Sequence, residues 1–231
     1  MHRSVSPWPN PNPNVDAICN SLKRSAAIRS VDPQITRAIE DPAELYQLWL
    51  LESPAFGSKQ VPYEQLLDRW RAFPEGITVL LQSGQIIGSI EIWPLSPDVA
   101  NRFCSGQITE HEIDASPMTT FRQSPCANWY LSGMMLQSVK RRTRAIHALV
   151  AGMGAIFVDQ FRFRFPLTIL ALGYSREGIR CLHRFGFRKQ KSATDLPDRC
   201  PLYSIEIRNW KQGFRFLMAR RLVGDYSKAA E

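Results

Sequence analysis

The hydrophobic pattern of this chain changes period several times, and each change marks an element. The clearest switch lies in the middle. Trp129-Tyr-Leu-Ser-Gly-Met-Met-Leu136 is an apolar run with aromatics, as a buried strand shows. Gln137 to Lys140 lack strand character, and Ala145, Ile146, Ala148 and Leu149 then open a helical pattern that continues to about Val158. Upstream, Ile35–Ile39 predicts a short strand. Asp41 fits a helix N-cap, with Pro42 at the first helical position and Glu44 at the third, and the helix runs through Leu45, Leu48 and Trp49 to about Glu52. Leu66, Leu67 and Trp70 share one face of a second helix, Pro62–Arg71, which the turn cluster Phe73-Pro74-Glu75-Gly76 stops. Ile77–Leu81 and Ile86–Trp93 flank Gln82-Ser83-Gly84-Gln85 and predict a β-hairpin. Downstream, Phe165–Leu172 is a strand with Pro166 at its start, where a missing N–H does no harm. Ser175 caps a helix ending at Phe185, with Gly186 as its stop, and Leu202–Ile207 alternates as the last strand. The order is strand, two helices, three strands, helix, strand, helix, strand, which is an α+β fold with one mixed central sheet flanked by helices.

Three segments stand outside that pattern. Residues 1–33 carry Pro7-Trp-Pro-Asn-Pro-Asn-Pro-Asn14, which suits neither a helix nor a central strand, and are expected to be a poorly ordered extension. Residues 34–208 are expected to form a single domain, with an insertion at about 95–125 that is long for a compact fold. Within the insertion Ile108–Ile113 reads as a short helix capped by Thr109. Its Glu110, Glu112 and Asp114 would attract a cationic amine or, as such charges more often do, simply solubilise the loop. The basic tail, 209–231, places Trp210, Phe214, Leu217 and Leu222 at roughly helical spacing among Lys211, Arg215, Arg220 and Arg221. A tail helix of this kind more often packs on its own domain than on a membrane or nucleic acid.

Charge changes the picture. Twenty-nine Lys and Arg against 21 Asp and Glu give a net +8, concentrated between Lys140 and Lys191, where Asp159 and Glu177 oppose a dozen cations. Such a field suits a phosphorylated cofactor, a nucleic acid or an anionic surface. Nucleic acid rests on charge alone, because no helix-turn-helix, zinc or RNA-recognition signature is present. The 5 cysteines are scattered with no C-x-x-C pair, so neither a disulfide framework nor a metal site is expected, and a reducing cytoplasm is the default location. No apolar run is long enough to span a bilayer, and Met1–Asn14 lacks the core of a secretory signal. The basic turn between the central strand and its helix carries the sharpest chemistry. Unpaired N–H groups of the first helical turn, the positive end of the helix dipole and Arg141, Arg142 and Arg144 together make an anion site, most naturally for a diphosphate.

This strand–turn–helix resembles the GCN5-related N-acetyltransferase (GNAT) superfamily, which writes the turn as Gln/Arg-x-x-Gly-x-Gly/Ala; the match here is Arg141-Arg-Thr-Arg-Ala-Ile146. Ser175-Arg-Glu-Gly-Ile-Arg-Cys-Leu-His-Arg-Phe-Gly-Phe187 is similar to the family's second helix and following strand, Asn-x-x-Ala-x-x-x-Tyr-x-x-x-Gly-Phe. The resemblance spans roughly Ile35 to Ile207 and implies a GNAT-like fold using acetyl-CoA or another acyl-CoA as co-substrate. Backbone N–H groups of Arg141, Arg142, Thr143, Arg144, Ala145 and Ile146 would hold the pyrophosphate. Met134, Met135 and Leu136 would pair with the pantetheine arm, and Ser175 stands in place of the family's Asn.

The implied reaction is direct acyl transfer to an amine, on a small molecule or a protein. It needs a base for the amine and an acid for the departing thiolate. The sequence departs from the family in two places: Arg144 and Ile146 fill the small positions of the turn, and Leu182 replaces the frequent general-acid Tyr. Tyr174, Ser175 and His183 are the nearby substitutes. Glu91 on the hairpin is the base candidate, although an exposed strand-edge charge is its commoner role, and His147 and His183 read more readily as surface or cap residues. The alternative is a catalytically degenerate GNAT-like protein serving as a basic binding or regulatory module.

Overall fold

A computed structural model describes residues 34–115, 127–137, 142–160, 165–209 and 211–213. Its elements are β1 (Gln34–Ala38), α1 (Pro42–Phe56), α2 (Tyr63–Ala72), β2 (Ile77–Gln82), β3 (Gln85–Leu95), α3 (Pro97–Ser105), β4 (Asn128–Leu136), α4 (Arg142–Gln160), β5 (Leu167–Leu172), α5 (Arg176–Arg184), β6 (Arg188–Lys191) and β7 (Leu202–Ile207). The seven strands form one mixed sheet in the order β1-β2-β3-β4-β5-β7-β6. Every neighbouring pair is antiparallel except β4 and β5, which run parallel. The α+β fold read from the sequence is the fold the chain adopts.

Local chemistry sets most element boundaries. Asp41 caps α1 by accepting from Glu44 N at 2.9 Å, and Ser175 caps α5 by accepting from Gly178 N at 3.0 Å. The β2–β3 hairpin turns on two residues, Ser83 (φ 51°) and Gly84 (φ 76°), the paired left-handed conformations of a type I′ turn. On one side of the sheet α4 packs across β1, β2 and β3 through Ala145, Ala148, Leu149, Val150 and Met153. Small residues permit that close approach: a Cβ at Gly152 would lie 2.4 Å from Thr36 Oγ1. On the other side α1 reaches β3, where Ser89 Oγ donates to Glu52; Phe73 packs on Trp129, and Phe103 of α3 packs edge-on against Tyr130. β3 is therefore covered on both faces, and all of it beyond Gln85 is buried.

Several boundaries differ from the expectation. α1 continues past Glu52 to Phe56 with Pro54 inside it. The stretch Ile108–Ile113 forms only a short 3-10 turn, Glu110–Glu112, closed by a Thr109–Glu112 capping box. The insertion also holds the unexpected α3, whose signals were present in Ser96 as N-cap, Pro97 behind it and Gly106 as the left-handed stop. β6 carries no hydrophobic pattern, being four charged and polar residues on the sheet edge. Residues 1–33 and 214–231, with most of the expected tail helix, lie outside the described residues. No helix among the described residues is long and apolar enough to cross a membrane.

Candidate active site

The parallel register of β4 with β5 ends at Leu131 and Ala171, while β4 continues to Leu136. From Ser132 onward β4 is paired on one side only, with β3. The β3–β4 ladder slips at the same point. Glu91 pairs with Gly133 and Ile92 with Leu131, leaving Ser132 as the extra residue of a β-bulge. The two strands thus part beside a bulge that re-aims a polar side chain.

A small open cavity of about 30 Å³ lies there, between the parted strands and the α1 side of the sheet. Three carboxyl groups line it: Glu52 from α1, Glu91 from β3 and Glu110 from the insertion, all buried. Each is anchored. Ser132 Oγ donates to Glu91 Oε2 at 2.9 Å and itself accepts from Trp93 Nε1 at 2.9 Å. Ser89 Oγ donates to Glu52 Oε1 at 2.5 Å. Tyr174 hydrogen-bonds Glu110, the Tyr130 hydroxyl is buried beside the same carboxyl, and Glu110 N donates to Asp198 Oδ2 at 3.2 Å.

Burial governs the protonation of all three, because water no longer solvates the charged form. It raises Glu52 well above the ordinary carboxylate range, and the charge of Glu91 raises it further. It also raises Glu91, but the hydrogen bonds from Ser132 and Glu52 and the Arg69 charge oppose the rise. Glu52 and Glu91 therefore titrate as a coupled pair, both held above the ordinary carboxylate range by burial. Glu110 is pushed up to about 8 by burial, against the nearby Arg69 cation.

Arg69 organises this wall. Fully buried on α2, it donates from Nε to Ile113 O at 3.1 Å and from Nη2 to Glu110 O at 2.7 Å and Ile113 O at 2.8 Å. The insertion is thereby fastened to the domain with Glu110 turned inward. At the rim Lys59 Nζ donates to Cys200 Sγ at 2.7 Å and lies 5.6 Å from the centre of the Tyr174 ring. Phe56 meets the same ring edge-on.

Two expectations drawn from the sequence are corrected. Glu91 is no exposed strand-edge charge: β3 lies between β2 and β4 under both helical layers, so its carboxyl is buried in the cavity wall. Nor does Glu110 solubilise the insertion, although Glu112 and Asp114 are exposed. Tyr174 lines the cavity with Glu91. His183 does not; it is exposed on α5, with its ring 5.3 Å from that of Tyr203. His147 is half-buried on α4, and burial lowers its pKa.

The residues expected to hold the co-substrate fall into three groups. Met134, Met135 and Leu136 lie on the one-sided stretch of β4, which offers backbone N–H and C=O groups to an extended ligand arm. Ala145 is buried in the core, Thr143 and Ile146 are half-buried, and Arg144 is exposed on the first turns of α4. Ser175 is exposed and engaged as the α5 cap. Arg141 and the side chain of Arg142 lie outside the described residues. Sequence reasoning missed Glu52, Arg69, Ser89 and Ser132. Arg69 was detectable, since it falls between Leu66 and Trp70 on the apolar face of α2, where an arginine needs buried partners.

No protein family's sequence profile matches the chain, and no curated protein matches it. Solved structures do. The loading GNATL domain of CurA from Lyngbya majuscula is 15% identical with a TM-score of 0.53, and the match covers 75% of this chain and 97% of that one. The GphF GNAT-like decarboxylase in complex with isobutyryl-CoA is also 15% identical, with a TM-score of 0.52 over 75% of this chain and 100% of that one. At this identity the likeness is one of fold, and the fold is that of the GNAT superfamily.

Proposed function

We propose that the protein is an acyl-CoA-dependent N-acyltransferase, most simply an acetyltransferase, that transfers its acyl group directly to an amine. The observation that carries this reading is the cavity where β4 and β5 part, with the Glu91 carboxyl buried in its wall and its pKa raised by burial. Glu91 is the base that takes the amine proton, held in place by the Ser132 hydroxyl. The one-sided stretch Met134–Leu136 carries the extended arm of the co-substrate, and the first turn of α4 with Arg141 and Arg142 carries its diphosphate. An acidic cavity wall suits an acceptor that arrives as an ammonium ion and is deprotonated there. The isobutyryl-CoA bound by GphF supports an acyl-CoA in this fold.

One observation favours the degenerate module instead. Leu182 is buried in the core, so the position of the family's usual acid offers no proton to a leaving thiolate. Isothermal titration with acetyl-CoA, longer acyl-CoAs and free CoA separates the two readings. Micromolar binding is expected, and no binding by any of them leaves a basic scaffold on a borrowed fold.

A further inference from the structure

Two features of the cavity are left without a role by the proposed reaction: the insertion that delivers a buried Glu110, and the hydrogen bond between that carboxyl and Tyr174. The insertion is not loosely draped. Arg69 grips the carbonyls of Glu110 and Ile113, Asp198 receives the Glu110 N–H, and Gln65 Nε2 donates to Ile113 O at 3.1 Å. This fastening fixes one side chain against one phenol. Tyr174 lies three residues beyond Ala171, the last residue of β5 paired with β4, with its ring braced by Phe56, and it lines the cavity with Ser132 and Gly133 of β4. It therefore stands at the parting of the strands, where a thioester lying along β4 would place its sulfur.

We propose that Tyr174 is the proton donor to the departing thiolate and that Glu110 is its positioning residue, a replacement supplied by the insertion for the acid missing at Leu182. This rests on the acyltransferase reading above. The amine, having already released its ammonium proton to solvent, attacks the thioester carbonyl carbon through its nitrogen lone pair, and the C–S bond breaks with its electron pair left on sulfur. Sulfur takes the Tyr174 proton, the Glu110 carboxyl proton passes to the phenolate oxygen, and the proton shed by the amine ends on Glu91. The net transfer of one proton from Glu110 to Glu91 is reversed through solvent between turnovers.

In the structure the Tyr174 hydroxyl donates to Glu110 Oε2; the relay runs when the protonated Glu110 donates instead to the phenol oxygen, so that the Tyr174 proton is free to turn towards sulfur. Burial keeps Glu110 protonated up to about pH 8. Above that the carboxylate accepts the phenol proton and withholds it. The charged and titratable groups facing the pair are Arg69 from α2, Glu91 from β3, Tyr130 from β4, Asp198 ahead of β7, Glu52 from α1 and Lys59 at the rim.

The test is NMR of protein labelled with 13C at the tyrosine ζ carbon, across pH, with free CoA and with desulfo-CoA, which lacks the thiol. Tyr174→Phe keeps the ring packing and assigns the resonance by its loss. The Tyr174 signal is expected to move on adding CoA and to stay in place with desulfo-CoA, with a pH step near 8. Glu110→Gln retains an N–H donor at every pH, so the CoA response should persist and the step should vanish, whereas Glu110→Leu should abolish the response. Equal responses to CoA and desulfo-CoA, or a step that survives in Glu110→Gln, overturn the relay alone. Failure of either ligand to bind overturns the acyltransferase reading along with it.

Discussion

Two charged regions adjoin β4, and the chain assembles them by opposite routes. The basic one is contiguous: Lys140, Arg141, Arg142 and Arg144 follow one another between a strand and the helix it feeds. The acidic one takes Glu52 from α1, Glu91 from β3 and Glu110 from the insertion, so its members are separated by 39 and 19 positions along the sequence. A contiguous charge cluster is solvated and costs little to build. A converging one must be desolvated, and each carboxyl then needs a named partner or a proton. The difference teaches where to look for chemistry: the basic region is suited to holding a ligand, and the acidic region has the perturbed protonation that proton transfer requires.

The largest expected effect attacks the basic side. Reversing Arg141 and Arg142 to Glu would remove the two charge-assisted phosphate contacts proposed for them, each worth about 1.5–3 kcal/mol. Acyl-CoA affinity should fall by at least about 100-fold in isothermal titration. Unchanged affinity would move the diphosphate away from the turn and break the comparison at once. The next attacks the acidic side. Glu91→Gln keeps the shape and removes the proposed base, so kcat should drop by about 100-fold or more with little change in KM for acyl-CoA. Glu112→Gln, on an exposed carboxylate of the same insertion as Glu110, should change neither and is the internal control.

The same contrast explains what was legible in the sequence. Element order, the Asp41 and Ser175 caps, the hairpin turn and the strand–turn–helix are written in neighbouring residues, and the fold emerged from them. The cavity was not legible, because nothing local distinguishes Glu110 from Glu112 two residues away. Only Arg69 and Tyr174, 41 and 64 positions distant, draw one inward and leave the other to cap a turn. Glu91 sits between Ile90 and Ile92, and an alternating reading would put it on an outer face. What buries it is α1, whose Glu52 reaches that face of the sheet.

Stability against pH sharpens the comparison further. Glu52, Glu91 and Glu110 all have raised folded-state pKa values, so between the ordinary carboxylate value of 4.5 and the folded one the native state holds more protons than the unfolded chain. Unfolding free energy must therefore fall as pH rises through that window. For Glu110 the window closes near pH 8, and each group contributes a slope of at most about 1.4 kcal/mol per pH unit. Urea unfolding between pH 5 and 8 should show this decline, and Glu110→Gln should make it shallower. A decline of equal slope in the variant would mean that Glu110 is not held neutral.

The smallest effect comes from a carboxylate outside the cavity, where the sign reverses. Glu44 bridges Arg37, with Arg37 Nη1 donating to Glu44 Oε2 at 2.8 Å, and it also accepts from Glu40 N at 3.0 Å. The Arg37 hydrogen bond holds its pKa below 4.5. Here the unfolded chain binds the proton more readily, so the contribution is fully present above pH 4.5 and is lost as pH falls through the lowered folded value. The Arg37 side chain is 31% exposed, and solvent screening limits such a pair to about 1 kcal/mol or less. Glu44→Gln should thus cost a fraction of a kcal/mol in urea unfolding at neutral pH, a cost that fades as pH falls through the lowered folded value. Glu110→Gln should be neutral in acid and stabilising above pH 8. Two substitutions of one chemical kind, both silent in acid, would then move stability in opposite directions above pH 8. Burial without a full counter-charge is the only difference between the sites that accounts for it, and a matching sign in both variants would remove that account.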